Sequence, residues 1–417
     1  QKLTDEIKKL EAEIEEIKNN KIYENSFEWR FEFPEVLNEK GDFVGFDVVI
    51  GNPPWGATLS LEQKNFLKNR YALIDSSTPN TFAYFLGISR EISKGYITQI
   101  LPDSILVKDF RNTRKLFKDA LYELFWYQNT AIPDEYRPFL DVEHDVCTLF
   151  LNKNSKYDKC RIQIRNYRNK IVTSQNSLIK KSDFIFEDYE YTYNLLVNEK
   201  NISIAKKTVS FDKLNTILQC HEGIHTGNIR EKLFIKEKTT NNEKPLFVGG
   251  KSGDTINNYC SIRTGNWFVS YNPDLIDKNN GEYASLRDER IFNRPKIYIT
   301  RTGNPLKAFL DLDNYASNNF FSVQFKDYNL NSSENLLPIL GLLNSNLGNY
   351  LIRFFIAPSL GDTFIETKIF HLLKLPYQEE LLKNTLLKEV VKNIINSLES
   401  DINFDISEYQ KKVNELI

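Results

Sequence analysis

The tetrapeptide Asn52-Pro53-Pro54-Trp55 follows directly on the apolar run Phe46–Ile50, at Gly51. Proline has no amide N–H, so a turn built on two prolines presents acceptors: the Asn52 side-chain oxygen and the Pro53 carbonyl. Two rigid acceptors beside an aromatic plane match the two hydrogens of an exocyclic amine on a flat base. Accepting both would draw the amine towards tetrahedral geometry and aim its lone pair. Trp55 would stack on the base face, a contact worth roughly 1–3 kcal/mol. The same four residues would also serve as a tight strand-ending turn with a core tryptophan, because short motifs recur by chance. The buried strand ahead of the turn and the lack of a metal or nucleophile cluster favour the chemical reading.

A turn of this kind needs a sheet to hold it. Between 21 and 152, FDVVIGNPP reads as a short buried strand running into a Pro-broken turn. Thr81–Ser93 reads as helix, GYITQILPDS as strand, Phe110–Phe125 as helix and HDVCTLFL (144–151) as strand. Alternation of strand and helix predicts parallel crossovers in a doubly wound α/β sheet, where ligands bind beyond the carboxyl ends of the strands. Ahead of it, Leu3, Ile7, Leu10, Ile14 and Ile17 mark an amphipathic helix over 1–20 with a narrow seam suited to docking on a neighbouring segment.

From 153 to 210 the chain reads as a basic connecting segment. Lys153, Lys156, Lys159, Arg161, Arg165, Arg168 and Lys170 face a single acid, Asp158, between 151 and 170. A solvated strand pair and a phosphate-facing strip both fit. From 211 to 377, Gly, Asn and aromatics with short runs such as NWFVSY and PKIYIT predict a mixed, loop-rich second domain. The tail, 378–417, repeats Leu382, Leu386, Val390, Ile394 and Leu398 on one face and reads as helix.

Composition narrows the function classes. With 54 Lys plus Arg against 56 Asp plus Glu, the net charge of −2 excludes a uniformly basic binder but not a local basic patch. No apolar run is long enough to span a bilayer, so no membrane partner is expected. Cys147, Cys160, Cys220 and Cys260 lack CxxC spacing, which points to a reduced, cytoplasmic protein with neither zinc knuckle nor disulfide framework. The absence of methionine from 417 residues reads as a fragment, or as a sequence from which modified methionines were dropped.

FEWRFEFPEV (27–36) followed by FDVVIGNPPW (46–55) resembles the gamma-class amino-group DNA methyltransferases, and most closely the adenine-N6 enzymes of type IIG restriction–modification systems. NTFAYFLGIS (80–89), GYITQILPDSILVKDFRNTRKLF (95–117) and PFLDVEHDVCTLFL (138–151) continue it in the expected order. GIHTGN (223–228), KPLFVGG (244–250), RPKIYITRTG (294–303), ILGLLNSNLGNYLI (339–352) and LLKLP (372–376) are similar to a TaqI-like C-terminal specificity domain. The fold implied is a partial Rossmann-like methyltransferase sheet, an α+β target-recognition domain and a helical tail.

The resemblance implies that Asn52 and the Pro53 carbonyl hold an adenine N6, with Pro54 completing the turn. It places Trp55 and Phe139 against a base flipped out of the duplex. Phe85 corresponds to the aromatic that packs on the adenine of S-adenosylmethionine, the implied cofactor, with Asn52 beside it. Double-stranded DNA is the implied partner, and the methyl passes in line with no covalent enzyme intermediate. The family's Gly-rich cofactor loop and ribose-binding acid precede its NPPW-type motif, and nothing before residue 25 resembles them. An N-terminal methyltransferase or nuclease part of the same protein is therefore expected outside this chain. FVGGKSGDT (247–255) reads as a plain loop, and PDSILVK (102–108) lacks the second acid of a nuclease site.

Thr226, Gly227 and Asn228 could contact phosphate or base edges. Arg294, Lys296 and Arg301 cluster with Arg290 and Lys307 among strand-like runs, and arginine suits guanine in a major groove. His221 and His225 are separated by Gly223 in a loop, which favours DNA-facing side chains over a metal pair. A non-catalytic DNA-recognition module and an RNA or protein amino-group methyltransferase remain alternatives.

Overall fold

The computed structural model describes residues 2–19, 27, 32–74, 80–130, 132–193, 195, 199–238, 240, 242–250, 253–357 and 365–417. Residues 28–31 of FEWRFEFPEV and 251–252 of FVGGKSGDT lie outside them. The chain divides into two compact units, Gln1–Leu195 and Leu196–Ile417.

In the first unit, helix α1 (Lys2–Asn19) precedes strand β1 (Phe46–Gly51). Its seam is open: Leu3, Ile7, Leu10 and Ile14 are all more than half exposed. Helix α2 (Leu61–Arg70) begins in a capping box, with Ser60 accepting from the Gln63 amide and Gln63 reaching back. Helix α3 (Thr81–Ile92), capped by Asn80, buries Phe82, Leu86 and Ile92. Strand β2 (Ser93–Pro102) follows directly and pairs parallel with β1. Gly45, at φ +86°, makes the close approach that starts β1; a Cβ there would lie 2.6 Å from the Ile92 carbonyl oxygen.

Two expectations need correction here. Helix α4 (Arg111–Phe117) stops early, and Leu121–Tyr127 forms strand β3 rather than more helix. Phe117, Leu121 and Phe125 mimic helical spacing, but the aromatic run LYELFWY favours strand and buries Leu124 and Trp126 on one face. Nor is the sheet all parallel. Strand β4 (Val146–Asn152) inserts antiparallel between β2 and β3. Its chain returns from β3 by a loop rather than a helix, and a connection without a crossover gives an antiparallel neighbour.

The basic stretch also joins this sheet. Strand β5 (Lys159–Arg168) pairs parallel with β3, and β6 (Ile171–Lys180) closes a hairpin on it. The six strands run in the order β1-β2-β4-β3-β5-β6.

The second unit contains helix α5 (Glu199–Thr208) and two four-stranded sheets. Strands β7 (Leu218–Glu222), β10 (Lys296–Thr300), β11 (Ala308–Asp311) and β12 (Phe320–Phe325) form one, in the order β11-β10-β12-β7. The other sets β8 (Glu243–Phe247) beside β9 (Trp267–Ser270), flanked by Tyr315–Ala316 and Phe234–Ile235. Phe247, Phe309, Phe320 and Tyr298 meet in a shared aromatic core. Helices α6 (Ser333–Asn344), α7 (Thr385–Ser400) and α8 (Ser407–Leu416) complete the unit. In the tail the buried face is Leu387, Val390, Val391, Ile394, Ile395 and Leu398. The Asn384 cap restarts the helix there, so Leu386 falls outside that face, 41% exposed.

Lys296, expected among DNA-contacting cations, is a core residue at 0% exposure. Its ammonium meets Asp311 at 2.9 Å and donates to the Phe292 carbonyl at 2.7 Å. A charge can stay buried when paired and hydrogen-bonded in this way, and none of it is left for phosphate. Breaking one partner strands the other, so Lys296→Ala should cost about 3–5 kcal/mol, read as a lower denaturant midpoint. The double change Lys296→Met with Asp311→Leu should recover part of that loss.

Candidate active site and recognition face

Strand β1 delivers the turn at its carboxyl end. Pro53 is buried, whereas Asn52 and Pro54 are exposed and Trp55 is half-buried. The Thr81 hydroxyl, at the start of α3, donates to the Pro54 carbonyl at 2.7 Å and ties turn to helix. That bond uses Pro54 and leaves the two acceptors the sequence singled out. Among the described residues nothing hydrogen-bonds to the Asn52 carboxamide or the Pro53 carbonyl. Neither acceptor is spent on another described residue.

The Trp55 and Phe139 rings lie 5.9 Å apart, inclined at 62°. A flat ring stacked on Trp55 would therefore meet Phe139 at its edge, an arrangement aromatic quadrupoles favour. The indole Nε1 of Trp55 is buried with no hydrogen-bond partner among the described residues. An orphaned donor of this kind in a native site calls for an explanation, and a bound group is one.

Phe139 rides on the loop between β3 and β4, and a residue absent from the sequence-based expectations holds that loop. Asn129 is fully buried; its side-chain Oδ1 accepts from the Phe139 backbone amide at 2.9 Å and its side-chain Nδ2 donates to the Val142 carbonyl at 2.6 Å. The Asp145 carboxylate accepts from the Asn129 amide, the Thr130 amide and the Thr130 hydroxyl, each at 2.8 Å. Asn followed by Thr after an aromatic strand, with an acid ahead of the next strand, is the signal that could have flagged it.

Phe85, on α3, is 43% exposed. Its backbone is fixed from below, since the buried Gln99 side chain donates to the Phe85 carbonyl at 3.2 Å. An exposed, rigidly mounted ring fits the adenine of a nucleoside cofactor. The fit rests on this one contact, because no glycine-rich phosphate-type loop lies among the described residues of this unit.

In the second unit, Gly227 (φ +52°) packs so tightly that a Cβ would fall 1.8 Å from the Tyr283 carbonyl oxygen. Asn228 spends its side chain on the same loop, donating to the Gly281 carbonyl at 3.2 Å and accepting from the Tyr283 amide at 3.0 Å. Thr226 is half-buried beside them, and Tyr283, which sequence reasoning missed, is 61% exposed.

Strands β7 and β10 both run antiparallel to β12, so their carboxyl ends share one edge. Topology thus groups Thr226–Asn228 with Arg301, whose amide donates to the Asn319 carbonyl at 2.9 Å. Arg294 lies at the opposite end of β10, its guanidinium 3.9 Å from the Tyr328 ring centre. His221 is half-buried on β7, and burial together with Arg287 holds its imidazole below the ordinary range.

Comparison with known proteins follows the same division. Residues 1–130 match the model of the Eco57I restriction-modification methylase, and residues 250–377 match that of the TaqI-like C-terminal specificity domain. The first of these matches lies in the first unit and the second in the second unit. Phe139 and Thr226–Asn228 fall outside both matched ranges, so their placement stands on the geometry above.

A Methanocaldococcus jannaschii protein named as a putative type II restriction enzyme and methyltransferase is 26% identical over 431 residues, covering 98% of this chain and 32% of that protein. The type II methyltransferase M.VspI of a Vibrio species is 26% identical over 220 residues, 51% of this chain and 50% of its own. The chain thus spans 32% and 50% of the lengths of these two relatives. The type IIL restriction-modification enzyme MmeI, solved with DNA, shares the fold at a TM-score of 0.57 and 12% identity, over 94% of this chain and 55% of that one.

One acid below the site carries a pH signature. Burial, then the nearby Asp145 carboxylate, raise Asp103 from its ordinary 3.8 to about 7, against the pull of the Trp126 indole N–H and Lys108. Native Asp103 therefore keeps a proton that the unfolded chain has already lost. The stability this supplies is complete below about pH 4 and is lost as pH rises through about 7. Unfolding midpoints measured across that window should fall for the wild type, and Asp103→Asn should flatten the slope.

Proposed function

We propose that this chain is the catalytic-turn and specificity portion of a site-specific DNA methyltransferase that methylates adenine N6. The observation that carries this reading is the pair of unengaged acceptors, Asn52 Oδ1 and the Pro53 carbonyl, held beside the Trp55–Phe139 pair. These four groups can accept both amino hydrogens of an adenine and clamp its ring. Accepting both hydrogens frees the nitrogen lone pair from the ring and turns it outward. The target must leave the base stack to reach such a turn.

S-adenosylmethionine, held in part on Phe85, would supply an electrophilic methyl group when bound. The amine then carries a positive charge until it gives up one proton. Asn52 and Pro53 stabilise that charge through the acceptors they already present. Thr226 and Arg301, on one edge of the second unit, with Tyr283, would read or position the duplex. The remainder of the cofactor pocket belongs, on this reading, to a part of the same protein outside this chain, and the protein works in the cytoplasm.

The test is sequencing of N6-methyladenine in DNA from cells expressing the complete gene, beside a strain carrying Asn52→Ala. One methylated sequence motif is expected in the first strain. In purified protein Asn52→Ala should lower methyl transfer by at least about 10²-fold, the scale for losing one positioned polar group, with DNA affinity nearly unchanged. Unmethylated DNA in both strains despite folded protein would overturn the enzyme and leave a recognition module.

A further inference from the structure

The basic hairpin β5–β6 has so far only a structural place. Strand β5 is parallel to β3, and β3 is parallel to β2 and β1 because β4 opposes both β2 and β3. The carboxyl ends of β1, β3 and β5 therefore lie on one rim of the sheet. That rim carries the Asn52–Trp55 turn, the Phe139 loop and, at its far end, the hairpin turn Asn169–Lys170.

Along β5 the side chains alternate strictly. Cys160, Ile162 and Ile164 are buried, while Lys159, Arg161 and Arg165 are exposed on the other face. Alternate strand residues stand about 6.7 Å apart, so cations at this period form a line. Among the described residues no acid pairs with Arg165 or Lys170, in contrast with Lys94, Lys118 and Arg137 of the same unit, which meet Asp47, Asp119 and Asp134. Two acids on adjoining elements are otherwise placed. Glu123, opposite Arg161, accepts from Gln163, and Glu135 lies against Tyr136.

The hairpin end is also fastened to the aromatic loop. The Gln128 amide donates to the Arg165 carbonyl at 2.9 Å, and the Gln128 side chain accepts from the Tyr167 amide at 2.8 Å. The Tyr167 ring lies 5.2 Å from that of Tyr136, three residues before Phe139.

We propose that Arg165 and Lys170, at the end of this hairpin, bind backbone phosphates of the DNA whose adenine enters the Asn52–Trp55 turn. The assignment rests on the reading of the chain as a DNA methyltransferase. In the sheet order, β5 is four strands from β1, or about 19 Å at about 4.8 Å per strand. At 3.4 Å per nucleotide step this corresponds to roughly five or six nucleotides from the target. Phosphates carry no sequence information, so the contact sets position and affinity rather than choice of site.

The experiment uses the complete gene product and two duplexes, one with the methylated motif and one scrambled. Binding is measured by fluorescence anisotropy over a range of salt concentrations, for the wild type, Arg165→Ala/Lys170→Ala and the charge-keeping pair Arg165→Lys/Lys170→Arg. Each lost phosphate contact should reduce the slope of log K against log salt by about 0.9. The alanine pair should therefore lose about 1.8 from the slope and weaken on both duplexes by the same factor, and the charge-keeping pair should hold the wild-type slope. An unchanged slope in the alanine pair would overturn the proposal, as would a loss confined to the methylated-motif duplex. Wild-type protein that binds and methylates DNA keeps the functional reading intact in either case. Wild-type protein with no DNA affinity would sink both.

Discussion

Parallel pairing of β1 with β2 is the constraint on which the first unit's site depends. Two strands that run the same way cannot be joined by a tight turn, so the chain must leave β1, cross the sheet through a helix and return. That obligation places the Asn52–Trp55 turn and the start of α3 side by side at one rim, where the Thr81 hydroxyl can hold the Pro54 carbonyl. The prolines then do the rest. With no backbone N–H on either proline to satisfy, the turn leaves the Asn52 and Pro53 acceptors unspent.

The second aromatic is brought to the same rim by a different device. A long loop between antiparallel β3 and β4 would be free to wander, yet Asn129 and Asp145 convert it into a fixed bracket by bonding its backbone at both ends. Asp145 also lies close enough to Asp103 to raise it, so the bracket that positions Phe139 carries an electrostatic cost. Rigidity at this loop and unease in the acid beneath it are two faces of one arrangement.

In the second unit the division between buried and peripheral cations runs through neighbouring residues in and around one strand. Lys296 begins β10 and is committed to Asp311 and nearby backbone carbonyls, while Arg301, just past its end, lies on the edge shared with Thr226. Arg294 occupies the other end, stacked on Tyr328. Three cations that form one cluster in the sequence thus have three separate surroundings.

What the sequence determined by itself is local. The Phe46–Ile50 strand, the donor-free turn, the Asn80-capped helix and the alternation along β5 follow from backbone sterics, capping and side-chain periodicity, all within a few residues. The family resemblance added the order of the segments and the names of Phe85 and Phe139. Only the tertiary structure decided that LYELFWY is a strand, since its spacing suits helix or strand until β4 and β5 pair with it. Only the fold buried Lys296, set Phe139 against a tryptophan 84 positions earlier and placed Arg165 on the rim that carries the Asn52–Trp55 turn. The physical reason is the same for each. Register between strands and the loss of water around a charge depend on partners distant in the chain, and no window of sequence contains both sides of such a contact.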